Sequence, residues 1–145
     1  MKKVFMVILA VVIAVSCITI ASASEDITVL INGREADFDV PPTIISNRTM
    51  VPMRRVFELL GAKVEWVGEM QLAVATYKSF IIALHIGEYS FTVTDVIKGE
   101  TTTYELDVPA QIVNDRTLIP LRAVSEALGK TVSWDGSTRT ATITN

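Results

Sequence analysis

From Ile27 onward the apolar positions change period several times, and each change predicts an element. "ITVLINGREADF", residues 27–38, places two apolar-rich runs around Asn32 and Gly33. Both residues tolerate the positive φ of a tight two-residue turn, so a β-hairpin is expected. A Val-Pro break at Val40 and Pro41 ends it, because proline cannot donate to a ladder, and an extended piece, Thr43 to Ile45, leads on to a helix. Met53, Val56, Phe57 and Leu60 fall at i, i+3, i+4 and i+7, the spacing of one helical face. Pro52 belongs in the first turn of that helix and Gly61 at its C-terminal cap. Past Gly61 the period drops to two: Val64 and Trp66 share one face of a strand, and a turn at "VGEM" returns the chain as "QLAVATY". "FIIALHIG", residues 80–87, is apolar in both phases and reads as a central strand.

The same series is then written again. "NRTMVPMRRVFELLGAKVEW" at 47–66 and "DRTLIPLRAVSEALGKTVSW" at 115–134 are identical at ten of twenty positions, and "DVPPTII" at 39–45 answers "DVPAQIV" at 107–113. The second hairpin is longer, "YSFTVTDVIKGETTTYEL", and the last two strands are joined at "DGST". A period of 68 residues is too long for a solenoid and too short for two independent domains, so the repeats share one core. The expected fold is α+β: two pseudo-symmetric ββαββ units, about residues 27–76 and 89–144, joined by a linking strand, with mainly antiparallel sheet packed on two short helices.

The first residues belong to neither repeat. "MKKVFMVILAVVIAVSCITIASASED" carries a basic start, an apolar run from Val4 to Ile20 and an Ala-Ser-Ala ending, the three parts of a secretory signal peptide. Residues 1–23 are therefore expected to be removed, and the domain to occupy 24–145. A retained anchor is the structural alternative. Lipidation at Cys17 is another: it would tether the protein, although Ala14 stands where a larger aliphatic residue is usual. Cleavage at the Ala-Ser-Ala site leaves no cysteine, and so neither disulfides nor thiolate metal sites. It also leaves 11 basic against 16 acidic residues, scattered without runs of one sign. Such a chain has no electrostatic footprint for nucleic acid or an anionic bilayer.

The paired strings Arg-Thr, Val/Ile-Pro, Arg, Leu-Gly and Trp, with "LHIGEYSFTV" and "DVPAQIVNDRT" between them, resemble the copper amine oxidase N-terminal-like domain of secreted bacterial proteins, over essentially the whole mature chain. The resemblance implies a stalk-type, non-catalytic module, because in the amine oxidases copper and the tyrosine-derived quinone belong to other domains. The last repeat strand runs to the end of the sequence, so a catalytic domain after it is not expected.

Residue chemistry points the same way. A mononuclear copper site needs two or three imidazoles, and His85 is the one histidine; it is expected to be a half-buried strand residue. Glu58 with Glu126, or Asp39 with Asp107, are symmetric carboxylate pairs of the kind a glycosidase uses, but Glu58 and Glu126 each stand four residues after Arg54 and Arg122, the spacing of helix-surface ion pairs. No nucleophile elbow or phosphate loop is written, so no catalytic residue, cofactor or metal ligand is assigned. The possible ligand or partner contacts are Arg48, Arg54, Arg116 and Arg122. Their guanidinium forks suit carboxylates or phosphates, although the reading favoured here is that they tie the loop before each helix to the sheet through Asp37, Asp39, Asp107 or Glu105. Trp66 and Trp134, in phase with Val64 and Val132, are expected in the core rather than on sugar rings.

The function expected is a secreted, extracellular or wall-associated binding or scaffolding module whose partner is a cell-wall polymer or an envelope protein. Two alternatives stay open: a small secreted hydrolase of wall glycan, and a structural homo-oligomer formed through exposed strand edges.

Overall fold

A computed structural model describes residues 26–145; the signal-peptide and Cys17 readings lie outside the described residues. Among the described residues, thirteen strands and two α-helices follow one another. The first hairpin forms as its sequence predicts, with β1 (Thr28–Ile31) and β2 (Arg34–Glu35) turning through Asn32 at φ 48° and Gly33 at φ 80°. Next come β3 (Thr43–Ile45), β4 (Arg48–Pro52), α1 (Met53–Leu59), β5 (Lys63–Val67) and β6 (Leu72–Tyr77), the last two joined by a 3₁₀ turn at Gly68–Met70. The middle of the chain is β7 (Phe80–His85), β8 (Ser90–Asp95) and β9 (Glu100–Glu105). It ends with β10 (Gln111–Val113), β11 (Arg116–Pro120), α2 (Leu121–Ala127), β12 (Thr131–Asp135) and β13 (Thr140–Thr144).

Two features depart from the expected plan. Each helix follows four strands rather than two, because the segments before the helices, Arg48–Pro52 and Arg116–Pro120, are themselves strands. Their hairpins turn at Ser46 and Asn47, and at Asn114 and Asp115, all at positive φ between 47° and 64°. Asn and Asp adopt that conformation more readily than most residues, but without a glycine the turn signal is weak. Pro52 and Pro120 consequently close a strand and cap the helix from outside, at ψ 114° and 116°, instead of lying in its first turn. A proline has no N–H to extend the ladder, which suits it to this hand-over.

The second departure is that the strands form three sheets, in the orders β12-β13-β1-β2, β10-β11-β4-β3 and β5-β6-β7-β8-β9. β4 and β11, the same strand of each repeat, pair antiparallel with Ile119 opposite Val51. β1 lies parallel to β13, Val29 opposite Ala141 and Ile31 opposite Ile143, so the start of the domain is held by its end. β7 is central, as read from its composition, but only Ile82 and Leu84 are buried; Ile81 and His85 face solvent. The fold is thus α+β and mainly antiparallel.

Both helices end alike, for a local reason. Gly61 and Gly129 take φ 91° and 74°, and the residue after each donates back to the third-last helical carbonyl, Ala62 N–H to Phe57 O at 2.8 Å and Lys130 N–H to Ser125 O at 3.0 Å. This is a Schellman closure, which favours glycine at the left-handed position. α1 buries Met53, Val56 and Phe57; α2 buries Leu121, Val124 and Ser125. These face one cluster that draws Val29, Ala75, Ile82, Leu84, Phe91 and Ile143 from both repeats. A small second cluster of Met50, Val108 and Leu118 lies at the β4–β11 seam. Each helix packs on the strand that follows it and on a strand of the other repeat, α1 on β5 and β11, α2 on β12 and β4.

Candidate functional site

That crossed packing leaves an open cleft of about 920 Å³ between α1, β5 and the β10–β11 hairpin. Its apolar lining includes Phe38, Met53, Val64, Trp66 and Ile112, and its charged lining includes Arg54, Arg55 and Arg116 with Asp37, Asp39, Glu58, Glu65 and Asp115. The acids outnumber the bases, and the arginines are engaged within the chain. Arg54 donates to the Val64 carbonyl at 3.0 Å and stands 3.8 Å from Glu58. Arg55 donates to the Asp37 carbonyl at 2.9 Å. Arg116 reaches across the repeats to Asp39, with Nε 2.9 Å and Nη2 2.5 Å from Oδ2.

The cross-repeat contact is reciprocal: Arg48 pairs with Asp107 as Arg116 pairs with Asp39. Each carboxylate sits at a Val-Pro break and each arginine begins the strand before a helix, so the two pairs clasp the repeats together. The hydrogen bond from Arg116 holds the Asp39 carboxyl below its ordinary range, helped by the Val40 N–H, and the bond from Arg48 does the same for Asp107. A carboxyl depressed in the folded state contributes stability that is present above its unfolded pKa and lost as pH falls through the folded one. The thermal midpoint is therefore expected to drop between about pH 7 and about pH 3. It should drop less in the Asp39→Asn, Asp107→Asn double variant, where Glu65 and Asp135, also held low, remain. Equal drops in both proteins would mean that the clasp does not stabilise the fold.

Of the four arginines singled out from the sequence, Arg54 and Arg116 line the cleft. Arg48 and Arg122 stand at the matching places of the other repeat, Arg122 lying 3.7 Å from Glu126 on α2, so the four do not converge. Arg55 escaped the sequence reading because the second repeat has Ala123 there, and attention to shared positions passes over it. The tryptophans differ most from expectation. Trp66 and Trp134 do lie in the core-facing phase, in register with buried Ala73 and Ala141, yet they are 41% and 39% exposed. They stand on the outermost strands of their sheets, with a neighbouring strand on one side only. A β-carbon on Gly68 would come within 3.3 Å of the Trp66 Nε1, so the glycine leaves room for the indole edge.

Copper does not fit these residues: His85 is the one histidine and is exposed on β7, and among the described residues no three His, Cys, Asp or Glu side chains gather into a metal-binding group. A comparison with the curated proteins finds no match. The family model described as the copper amine oxidase N-terminal domain matches residues 30–143, nearly all of the described chain. The chain belongs to the copper amine oxidase N-terminal domain family, whose domain is non-catalytic in the copper amine oxidases.

Proposed function

We propose that the chain is a secreted, non-catalytic binding module of the cell envelope and that its cleft holds a neutral glycan strand of the wall. The observation that carries this reading is Trp66, whose half-exposed ring forms part of the cleft's lining beside side chains that can hydrogen-bond hydroxyls. An indole face covers the C–H side of a sugar ring while its surroundings satisfy the polar edge. An anionic wall polymer suits the cleft less well, since the acids lining it outnumber the arginines and those arginines already have partners. Within the repeated units, a glycan reading also gives a use to residues that the fold alone leaves half exposed.

Covering the exposed part of Trp66 would remove on the order of 100 Å² of apolar surface, about 2–3 kcal/mol, or roughly a 30- to 150-fold change in affinity. The Trp66→Ala variant, shown to be folded by circular dichroism, is expected to lose most of its co-sedimentation with purified peptidoglycan. Wild-type retention should persist in about 0.5 M NaCl, where contacts between exposed charges are screened. A folded variant that pellets like wild type would overturn the reading, and release of the wild type by salt would return the arginines to consideration.

A second reading, a homo-oligomer, is favoured by β9, an open edge whose Glu100–Glu105 residues are almost all exposed, next to a hairpin tip where Ile97 is 83% exposed. Unpaired edges of this kind invite a further strand. Light scattering after size exclusion distinguishes the two, since a monomer at high concentration removes the oligomer.

A further inference from the structure

Resting on that reading of the cleft, we infer that the chain carries a second glycan platform, at Trp134, and so is bivalent. The features around Trp66 recur around Trp134. Trp134 is exposed to nearly the same degree and lies opposite Ala141 as Trp66 lies opposite Ala73. Gly136 stands against its Nε1 as Gly68 does in the first repeat, a β-carbon there reaching 3.6 Å. α2 packs on β12 and on β4, as α1 packs on β5 and on β11. At the places corresponding to the cleft's far wall stand Ile44, 42% exposed on β3, and the Arg48–Asp107 pair, matching Ile112 on β10 and the Arg116–Asp39 pair.

The arginines at this second place likewise have carboxylate partners, Arg48 with Asp107 and Arg122 with Glu126, which suits a neutral sugar rather than an anion. The surroundings are shorter, however: Ala123 replaces Arg55, Ser133 replaces Glu65, and Leu106, which is buried, replaces the half-buried Phe38. The second platform is therefore more open and the weaker of the two. A chain with two such places can bridge neighbouring glycan strands, or hold one strand at two points and gain from effective concentration.

A β-1,4-linked N-acetylglucosamine tetramer is the probe, titrated into the full chain and followed by calorimetry and by the indole N–H signals in a ¹⁵N–¹H spectrum. The sequence has two tryptophans, hence two such signals, assigned from Trp66→Ala and Trp134→Ala. Both signals are expected to move, that of Trp66 at about tenfold lower probe concentration. Calorimetry should give two sites in the wild type, the weaker one alone in Trp66→Ala and the tighter one alone in Trp134→Ala. A single site abolished by Trp66→Ala, with an unmoving Trp134 signal, would overturn the second platform and leave the first. No binding by the wild type would overturn both. Because the signals are read in the wild type, the result stands even where a variant fails to fold.

Discussion

A chain cut after Arg139 is expected to unfold as a whole rather than to lose only its second repeat. The residues removed include β13, which lies between β12 and β1. Without it β1 loses its parallel partner, including the hydrogen bond from Asn32 N–H to the Ile143 carbonyl at 2.8 Å, and the N-terminal hairpin has nothing to pair with. Ala141 and Ile143, both buried in the common cluster, go with it. Truncating Ile143 alone to alanine should cost about 2–5 kcal/mol, against a total stability of roughly 5–15 kcal/mol for a domain. Removing the strand adds unpaired backbone on both neighbours. Circular dichroism of the truncated chain is expected to show no cooperative thermal transition. A sharp transition with about half the native signal would mean that the first repeat stands alone, contrary to a shared core.

Phe57→Ala is the point substitution expected to cost most. Phe57 is fully buried on α1 and belongs to the cluster that both repeats feed. A cavity of that size costs about 3–5 kcal/mol, which for a domain of this length lowers the melting temperature by on the order of 10–20 °C. The corresponding place on α2 is Ser125, also buried, and Ser125→Ala should change stability by only about 1 kcal/mol, the scale of one hydrogen bond. Thermal melts of the two variants test the contrast. Similar midpoints would show that Phe57 does not fill the space its burial implies. The repeats agree in backbone plan at this place, therefore, and differ in how much of the core they supply.

The elements that could be read from the residues are those set by local chemistry. Asn32-Gly33 specifies a hairpin turn through its own φ angles, and Gly61 and Gly129 specify helix ends through theirs. The β4 and β11 hairpins escaped because Ser46-Asn47 and Asn114-Asp115 turn the chain without glycine, and because the proline that closes each strand looked like a helix start. Half of the candidate site was legible in the same limited way. Arg116 and Asp39 were recognisable as possible partners, but their 77-residue separation in sequence meant that only the tertiary fold could choose Asp39 over its neighbours. Arg54 was visible, whereas its bond to the Val64 carbonyl was not, since it depends on how the helix lies against β5.

Residues near one another in the chain were enough to show the turn at Asn32-Gly33 and the helix ends at Gly61 and Gly129, and setting the two halves of the sequence side by side showed the repeat and the family resemblance. The tertiary structure decided the rest: that β1 joins β13, that β4 pairs with β11, that the arginine clasp crosses between the repeats, and that Trp66 and Trp134 stand partly in the open. The physical reason is the same in each case. A period of two states which side of a strand is apolar, but whether anything lies over that side depends on where distant strands end.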